Sequence, residues 1–418
     1  MFWNYLKMAY KVLLRRKFFT FISLFGIGFT LLTMLVFFTL ADHVVDPPGP
    51  SSRADGQIIL NMPYIWLEHM ENNDVYHGEL GYYFIEHYLY EMKTPSGISA
   101  YTGTRDSACF VNDRKVRVQL RQTDAAYWRL LEFDFLEGGP LTESDDEGDS
   151  RALIISQYLK RKVFGNEPAV GKELVLDGRA YRIRGVVKNV PFYDDISYAD
   201  AWQPIDNLES ANYRNQMLGR FKVLFMVENA NQAAAFQEEL AHLWSKVQIP
   251  DPEQFNFVIG HAETPLESMA RDLLRDGNTD DNGKSTLVMI VVALGVLFMF
   301  LPAINLININ VSRIMERAVE IGVRKAFGAS STHLVGQLIF ENIFLTLVGG
   351  LLALLATPLV LEPINQSGLI PHADLTMNPR VFLGGLLLIF LFGALSGIYP
   401  AWKMSRLHPV SALKGGDS

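Results

Sequence analysis

Hydrophobic positions in this chain fall into four long runs that are spread very unevenly. The first covers residues 18–40, and the other three lie in the last third of the chain, at 287–311, 334–360 and 381–399. Each run is long enough to cross a lipid bilayer, which takes about 20 apolar residues in a helix. The pattern therefore predicts four membrane spans, with a polar domain of roughly 245 residues between the first and the second.

The first run has a rival interpretation, a cleaved signal peptide, because Thr39-Leu40-Ala41 is a passable cleavage site. A signal-peptide core contains about 7–15 apolar residues, whereas this run is longer and follows an extended N-terminal segment. We therefore interpret it as a retained span. In the segment before it, Lys7, Lys11 and Arg15 share one helical face, which predicts an amphipathic helix at the membrane surface, with a partner-binding helix as the alternative.

Charge is segregated in the same way as hydrophobicity. The formal net charge is −8, and residues 42–285 hold about 39 of the 45 acidic residues but only about 24 of the 37 basic residues. Most of the remaining basic residues lie beside the predicted spans, where such residues stay on the cytoplasmic side. We therefore expect both termini to be cytoplasmic and the large domain to lie outside.

The predicted fold class is mixed: a four-helix α transmembrane bundle with a large extracytoplasmic α+β domain inserted between the first and second spans. The predicted segments, in chain order, are a cytoplasmic amphipathic helix (1–17), span one (18–41), the large domain (42–285), span two (286–311), a cytoplasmic loop (312–333), span three (334–360), a short outer loop (361–380), span four (381–402) and a cytoplasmic tail (403–418).

Inside the large domain the pattern predicts strands and short helices. Asp177-Gly178 is a favoured two-residue turn, so a hairpin is expected there, flanked by alternating apolar and polar residues. A strand is expected at 152–155, a helix at 157–164 that ends at Gly165, and a second helix at 231–247. We expect two lobes. The tyrosines and phenylalanine at 82–90 suit either a core or a binding face.

Candidate chemistry in this domain is sparse. The histidines His69, His77, His87, His242 and His261 have no metal-ligand spacing, and the acidic run 143–149 lacks the spacing of a calcium-binding loop. The lone Cys109 has no intramolecular disulfide partner and is expected to be buried. The glycine-rich stretch 277–285 has five residues between its glycines, whereas a phosphate-binding loop has four, so we expect a polar linker.

The loop after the second span predicts a short amphipathic helix at 313–327. Glu316 lies early and Lys325 late, which suits the helix dipole, and Gly328 is a natural C-terminal cap. A docking helix explains the glutamates and small residues better than a loop that only sets topology. The predicted docking residues are Arg313, Glu316, Arg317, Glu320, Ile321, Gly322, Arg324, Lys325, Phe327 and Gly328.

Polar and small residues within the spans form a second candidate set. Polar residues are costly in a bilayer, and small residues let helices pack closely. Together they mark either helix packing and hinges or a substrate path. We favour packing and a hinge, and Glu341, near the cytoplasmic rim, is expected to face a partner. The set comprises Pro302, Asn305, Asn308, Glu341, Gly393 and Gly397.

Several stretches resemble one known family. The sequence E-R-A-V-E-I-G-V-R-K-A-F-G-A, at 316–329, resembles the coupling-helix signature of the FtsX and MacB family of ABC-transporter permeases, and 399–414 resembles the C-terminus of that family. The stretches 131–141, 152–165 and 170–191 resemble its MacB-type periplasmic core domain. The match is weakest at 43–130 and 195–280, and the chain resembles members whose ATPase is a separate protein.

The resemblance implies a permease subunit of the bacterial inner membrane that couples ATP hydrolysis by a partner to movement of its outer domain, for export or extraction of a substrate. Two ATPase copies would bind ATP and Mg²⁺, so this chain is expected to hold no cofactor or metal and to be no enzyme. The second permease would be identical or homologous. We expect contacts with membrane lipids and none with nucleic acid. Whether a periplasmic adaptor and an outer-membrane channel also bind is a question that the resemblance leaves open. The alternatives are a non-transporting receptor or scaffold, and a division-type permease that activates cell-wall hydrolases.

Overall fold

The structure of the chain is a computed structural model. It describes residues 17–45, 49–51, 56–60, 64–66, 75–77, 79–111, 114–145, 150–207, 213–216, 218–249, 257–274, 281–297, 300, 304, 323, 327, 330–387 and 390–391. The chain divides into two compact units. We call residues 1–43, 288–369 and 374–418 the helical unit, and residues 44–287 and 370–373 the α+β unit.

The described helices fall into long apolar ones and short amphipathic ones. Their bounds are α1 Lys17–Val45, α2 Tyr82–His87, α3 Ala125–Leu130, α4 Gln157–Phe164, α5 Ala230–Trp244, α6 Pro265–Leu274, α7 Lys284–Leu297, α8 Ser331–Ser367 and α9 379–387. Among the described residues, two segments are long and apolar enough to cross a membrane: Thr20–Val44 in α1 and Ile339–Ser367 in α8, each with a mean hydropathy of 2.3.

In the helical unit, α1 packs against α8. Their shared apolar cluster is formed by Ile27, Leu31, Met34, Leu35, Leu345, Ala353 and Leu354. The two backbones come close where two glycines face each other: a Cβ on Gly28 would lie 3.5 Å from the carbonyl oxygen of Gly349. Small residues at such a crossing let two membrane helices pack tightly.

The C-terminal end of α1 is bonded to the segment that leads into α9. Within the helical unit, the buried His43 ring has Nδ1 2.8 Å from the Thr39 carbonyl oxygen, and its Nε2 accepts the Thr376 N–H at 3.2 Å. Asn378 Nδ2 donates to a carboxylate oxygen of Asp42. These polar groups satisfy one another at the end of an otherwise apolar helix.

Helix α8 extends beyond both ends of the predicted third span, 334–360, since it runs from Ser331 to Ser367. The apolar run ends at residue 360, but the helix continues because Asn365 stabilises its last turn. The Asn365 side chain donates from Nδ2 to the Leu375 carbonyl at 3.2 Å and accepts the Leu375 N–H on Oδ1 at 2.9 Å. The segment between α8 and α9 is 368–378, and the outer loop 361–380 stays a prediction. The second and fourth predicted spans extend into residues outside the described set, so the four-helix bundle stays a prediction.

The α+β unit is built on a 13-stranded sheet beside a small three-stranded one. The strands are β1 Gln57–Leu60, β2 Tyr64–Trp66, β3 Val75–His77, β4 Glu79–Leu80, β5 Gly97–Thr102, β6 Arg105–Val111, β7 Arg114–Thr123, β8 Phe135–Gly138, β9 Ala152–Ser156, β10 Glu173–Leu176, β11 Arg179–Val187, β12 Ala201–Pro204, β13 Leu218–Gly219, β14 Phe221–Met226, β15 Phe257–Ile259 and β16 Ala262–Glu263.

The large sheet runs in the order β10-β11-β9-β12-β7-β5-β14-β1-β16, with β6 on β7, β8 on β11, and β4 on β13 and β14. The pairs β9–β11 and β7–β12 are parallel, and the other pairs of this sheet are antiparallel. The small sheet has the order β15-β2-β3. Buried apolar clusters lie at both ends of the large sheet and at its centre. One continuous sheet joins the two end clusters, and the division of this unit into two lobes stays a prediction.

Local predictions in this unit are confirmed where capping and turn residues specify them. Helix α4 begins after Ser156, whose side chain accepts the Leu159 N–H, and ends at Gly165 with a φ of 62°. Helix α5 begins after Asn229, which caps it, and buries Phe236 and Leu240. Side-chain caps of this kind satisfy backbone donors that the first helical turn leaves unpaired.

The hairpin of β10 and β11 closes a ring of strands. Asp177 and Gly178 both have positive φ, at 48° and 82°, as the predicted two-residue turn requires. The turn reaches back to β6, where the Asp177 N–H donates to the Ala108 carbonyl and Asp177 Oδ1 accepts the Ala108 N–H, each at 3.0 Å. The ring β6-β7-β12-β9-β11-β10 encloses an apolar core that includes the buried Cys109.

Candidate functional site

Residues 190–200, between β11 and β12, form the structural centre of the α+β unit, and we call them the junction loop. The loop folds on itself: the Asp194 N–H donates to the Pro191 carbonyl at 3.0 Å, and the Tyr198 N–H donates to the Asp194 carbonyl at 2.8 Å. Its inward-facing side chains Val190, Ile196 and Tyr198 join the central apolar cluster. The loop is thus a packed element with a fixed shape.

A buried arginine holds the backbone of the junction loop. Arg121, from β7, is 2% exposed, and its guanidinium donates to the carbonyl oxygens of Asp195 and Ile196 at 2.7 and 2.6 Å. The guanidinium carbon lies 5.2 Å from the centre of the Tyr101 ring, a cation–π distance. The Tyr127 hydroxyl donates to the same Ile196 carbonyl at 2.8 Å, and burial raises the pKa of Tyr127, so this hydroxyl keeps its proton.

The chain segment that follows α1 is anchored on this loop. Ser51 Oγ donates to Asp194 Oδ1 at 2.6 Å and lies 2.6 Å from Ser197 Oγ. Pro50 accepts the Glu132 N–H at 3.1 Å. Burial raises the pKa of Asp194, although the hydrogen bonds from Ser51 and Ser197 oppose that shift.

The turn 370–373 is anchored on the same loop. The Phe192 N–H donates to the Pro371 carbonyl at 3.1 Å, and His372 Nε2 lies 2.8 Å from Asp200 Oδ1. The side chains of His372 and Asp200 are each 8% exposed. The imidazole packs against the rings of Tyr158 and Tyr198, with ring centres 4.6 and 6.0 Å away.

The junction loop therefore collects two segments of the α+β unit, 49–51 and 370–373, that are far apart in sequence. Each segment is continuous along the chain with the helical unit. The contacts are hydrogen bonds, a histidine–carboxylate contact and ring packing, and they suit mechanical attachment rather than bond-breaking chemistry. Within the described residues, no three metal-ligating side chains are grouped where they could hold a metal ion.

The α+β unit also has a cleft of about 380 Å³, which lies next to α2 and α3. Its lining includes Tyr82, Tyr90, Asp124, Arg129, Glu143, Asp206 and Arg214. The charged groups at its rim pair with one another: Arg129 with Glu143 at 2.8 Å, and Arg214 with Asp206 at 3.0 Å. Burial raises the pKa of Asp124, whose carboxylate accepts bonds from the Ala100 and Tyr127 backbone. The cleft is therefore largely satisfied by its own side chains.

The structure also settles smaller sequence questions. Tyr82 and Phe84 are buried in the cluster that α5 covers, so the aromatic residues at 82–90 are mainly core. Of the acidic run 143–149, Asp145 accepts the Thr142 N–H at 2.8 Å and lies 3.3 Å from Arg184 Nε. Residues 146–149 lie outside the described set, and so does His69.

Most of the predicted site residues lie outside the described residues. This applies to Arg313, Glu316, Arg317, Glu320, Ile321, Gly322, Arg324, Lys325, Gly328, Pro302, Asn305, Asn308, Gly393 and Gly397. Phe327 is described, and its N–H donates to the Val323 carbonyl at 3.0 Å, which is one helical turn, while its side chain is 90% exposed. Glu341 lies in α8 and is partly exposed. The docking helix and the hinge stay predictions.

Sequence reasoning missed the residues that build the junction loop contacts. His372 and Asp200 are 172 positions apart, and Ser51 and Asp194 are 143 apart. No local periodicity connects such residues. The only local signal was Pro371 followed by His372 in a short loop, a pattern typical of a turn.

Comparison with protein families gives two matches that together cover most of the chain. Residues 20–243 match the MacB-like periplasmic core domain, and residues 292–409 match the FtsX-like permease C-terminal region. The ABC transporter permease YknZ of Bacillus subtilis (strain 168) is 24% identical over 314 residues, which cover 72% of each chain. The macrolide export ATP-binding/permease protein MacB of Pasteurella multocida (strain Pm70) is 24% identical over 308 residues, which cover 73% of this chain and 44% of that protein.

Solved structures were matched as well. The extracellular domain of the noncanonic ABC-type transporter YknZ from Gram-positive bacteria aligns at 15% identity with a TM-score of 0.36, covering 49% of this chain and 99% of that domain. The periplasmic region of MacB from Actinobacillus actinomycetemcomitans aligns at 13% identity with a TM-score of 0.35, covering 52% of this chain and 94% of that region.

Proposed function

Since this chain belongs to the family of ABC transporter permeases with a MacB-like periplasmic core domain and an FtsX-like permease region, we propose that it transmits conformational change across the membrane to its α+β unit. In this proposal a partner ATPase binds and hydrolyses the nucleotide. The permease carries the resulting motion outward and moves a substrate that has already left the cytoplasm.

The topology belongs to the proposal too. Four spans with both termini inside would leave the helix at 313–327 on the cytoplasmic side, where a partner ATPase can reach it, and the α+β unit outside. The segregation of acidic and basic residues along the chain supports this arrangement. The two apolar helices α1 and α8 supply segments long enough to span.

One observation carries the proposal furthest: the junction loop binds both 49–51 and 370–373. Through the chain, the first is continuous with α1 and the second with α8. The contacts include a serine–carboxylate bond of 2.6 Å and a histidine–carboxylate contact of 2.8 Å, both with buried side chains. Polar contacts that are shielded from water are strong and directional. A displacement of either segment would therefore displace the junction loop as well.

A charge-reversal experiment tests the coupling. The chain is co-expressed with its neighbouring ATPase, and Glu320→Lys is combined with Arg324→Glu. We expect the variant to insert normally but to lose ATP hydrolysis that depends on the permease, because the docking helix presents reversed charges to its partner. Glu238→Lys, on the exposed face of α5, is the matched control and should leave hydrolysis unchanged.

Two results would count against the proposal. If the double reversal leaves hydrolysis unchanged, the docking role of 313–327 is wrong. If no ATPase co-purifies with the wild-type chain, a receptor or scaffold, or a division-type permease, becomes the better interpretation, and co-purifying outer proteins would identify which.

A further inference from the structure

The turn at 370–373 uses a residue that its backbone does not favour. The Ala373 N–H donates to the Ile370 carbonyl at 3.2 Å, which closes a four-residue turn with Pro371 second and His372 third. His372 has a φ of 55°, in the left-handed region. Glycine or asparagine is usual at such a position, because a larger side chain costs on the order of 1 kcal/mol there. Histidine is among the non-glycine residues enriched in this region, and a favourable side-chain contact can offset the cost.

The compensation comes from the side chain. Asp200 is held by the Gln119 N–H at 2.9 Å on Oδ2, which leaves Oδ1 for the imidazole. An ionised carboxylate only accepts hydrogen bonds, so His372 Nε2 is the donor. Tyr158 and Tyr198 flank the ring and shield the pair from water. The left-handed backbone aims the imidazole into this pocket.

Chain connectivity gives the contact its significance. The turn belongs to the α+β unit, but residue 369 before it and residue 374 after it belong to the helical unit. A displacement of the C-terminal end of α8 that is passed along residues 368 and 369 would therefore reach the junction loop through this turn and the His372–Asp200 contact.

We propose that the turn 370–373 is a latch, and that His372 and Asp200 are the residues through which the chain between α8 and α9 acts on the junction loop. This inference rests on the proposed function, since it names a coupling contact for the same transmission. It concerns other side chains than those of the predicted docking helix, so the two proposals can fail separately.

The first test measures the latch itself, in the full-length protein in lipid nanodiscs. Hydrogen exchange at the Phe192 amide reports the bond to the Pro371 carbonyl. His372→Asn keeps a residue that tolerates the left-handed conformation but is too short to reach Asp200. We expect Phe192 to exchange about tenfold faster in this variant, the effect of losing one charge-assisted hydrogen bond. The control is His87→Asn on the exposed surface of α2, which should leave Phe192 unchanged.

The second test asks whether the latch transmits. Permease-stimulated ATP hydrolysis is compared for wild type, His372→Asn, Asp200→Asn and the double variant. Asp200→Asn retains an oxygen for the Gln119 N–H. We expect each single variant to lower the stimulation several-fold, because His372→Asn removes the contact and Asp200→Asn replaces its carboxylate with a neutral amide. The double variant should be no worse than the worse single one, since both changes act on the same contact.

The outcomes separate cleanly. Unchanged exchange at Phe192 in His372→Asn overturns the latch. If the Phe192 amide exchanges faster but the stimulation of ATP hydrolysis is unchanged, the turn is purely structural and its coupling role is overturned. If the wild-type chain stimulates no ATPase, the proposed function fails and the coupling role fails with it, whereas the exchange measurement still decides whether the turn is latched.

Discussion

At the residue scale, two buried carboxylates of the α+β unit, Asp124 and Asp194, are hydrogen-bonded to neutral donors. Asp194 accepts from the hydroxyl of Ser51 and from the backbone N–H of Ser197, and Asp124 accepts from Ser99 Oγ and backbone N–H groups. Hydrogen bonds favour the charged form, but removal from water disfavours it more strongly. The net effect of burial is a raised pKa for both Asp124 and Asp194.

This imbalance predicts a pH-dependent stability for Asp194. A carboxyl with a raised folded-state pKa stabilises the fold below its unfolded pKa, and that contribution is lost as pH rises through the folded value. Asp194→Asn removes this titration but keeps an oxygen for Ser51. We therefore expect the midpoint of thermal unfolding of the variant, relative to wild type, to rise between about pH 4 and pH 7.5.

The measurement is thermal unfolding of the full-length protein in detergent across that pH range. Glu238→Gln, an exposed carboxylate on α5, serves as the control and should track wild type. A difference between Asp194→Asn and wild type that stays constant with pH would contradict the prediction.

At the element scale, the predictable parts of the fold were those with local specification. Ser156 and Gly165 fix both ends of α4, and Asp177-Gly178 fixes a hairpin, because caps and turns depend on a few adjacent residues. The junction loop was not predictable in the same way. Its contacts join residues more than a hundred positions apart, and only the folded sheet brings them together.

The crossing of α1 and α8 allows a sharper test of one element. A Cβ on Gly349 would lie 2.7 Å from Ile27 Cγ2, whereas a Cβ on Gly336, in the same helix, would meet no described atom within 4 Å. Gly349→Ala should destabilise the protein by about 1–3 kcal/mol through overpacking. Gly336→Ala should be neutral or stabilise it by up to about 1 kcal/mol, since alanine favours helix.

Thermal unfolding of both variants in the same detergent provides the comparison. Equal unfolding temperatures for the two variants would mean that α1 and α8 do not meet at Gly28 and Gly349.

At the scale of the whole molecule, the separation of charge along the chain predicts its orientation. The acidic α+β unit should face outward and the basic termini should stay inside. We expect the wild-type chain to show little labelling by thiol reagents, so it can serve as the control for introduced cysteines. Its one cysteine, Cys109, is 1% exposed, and burial raises the pKa of its thiol, so little reactive thiolate is present.

The orientation can be read from two single substitutions. Glu238→Cys, in the exposed face of α5, should react with a membrane-impermeant maleimide on spheroplasts, and Asp417→Cys should react only after the membrane is opened. Labelling of Asp417→Cys on intact spheroplasts would refute the proposed topology.

The contact between Asp177 and β6 also bears on whether the edge of the sheet can pair with another molecule. Strands at the border of a sheet recruit strands from neighbouring molecules when their amides are open. Asp177 occupies both the N–H and the carbonyl of Ala108 on β6. The backbone of Ala108 is therefore closed to a strand from another copy of the chain.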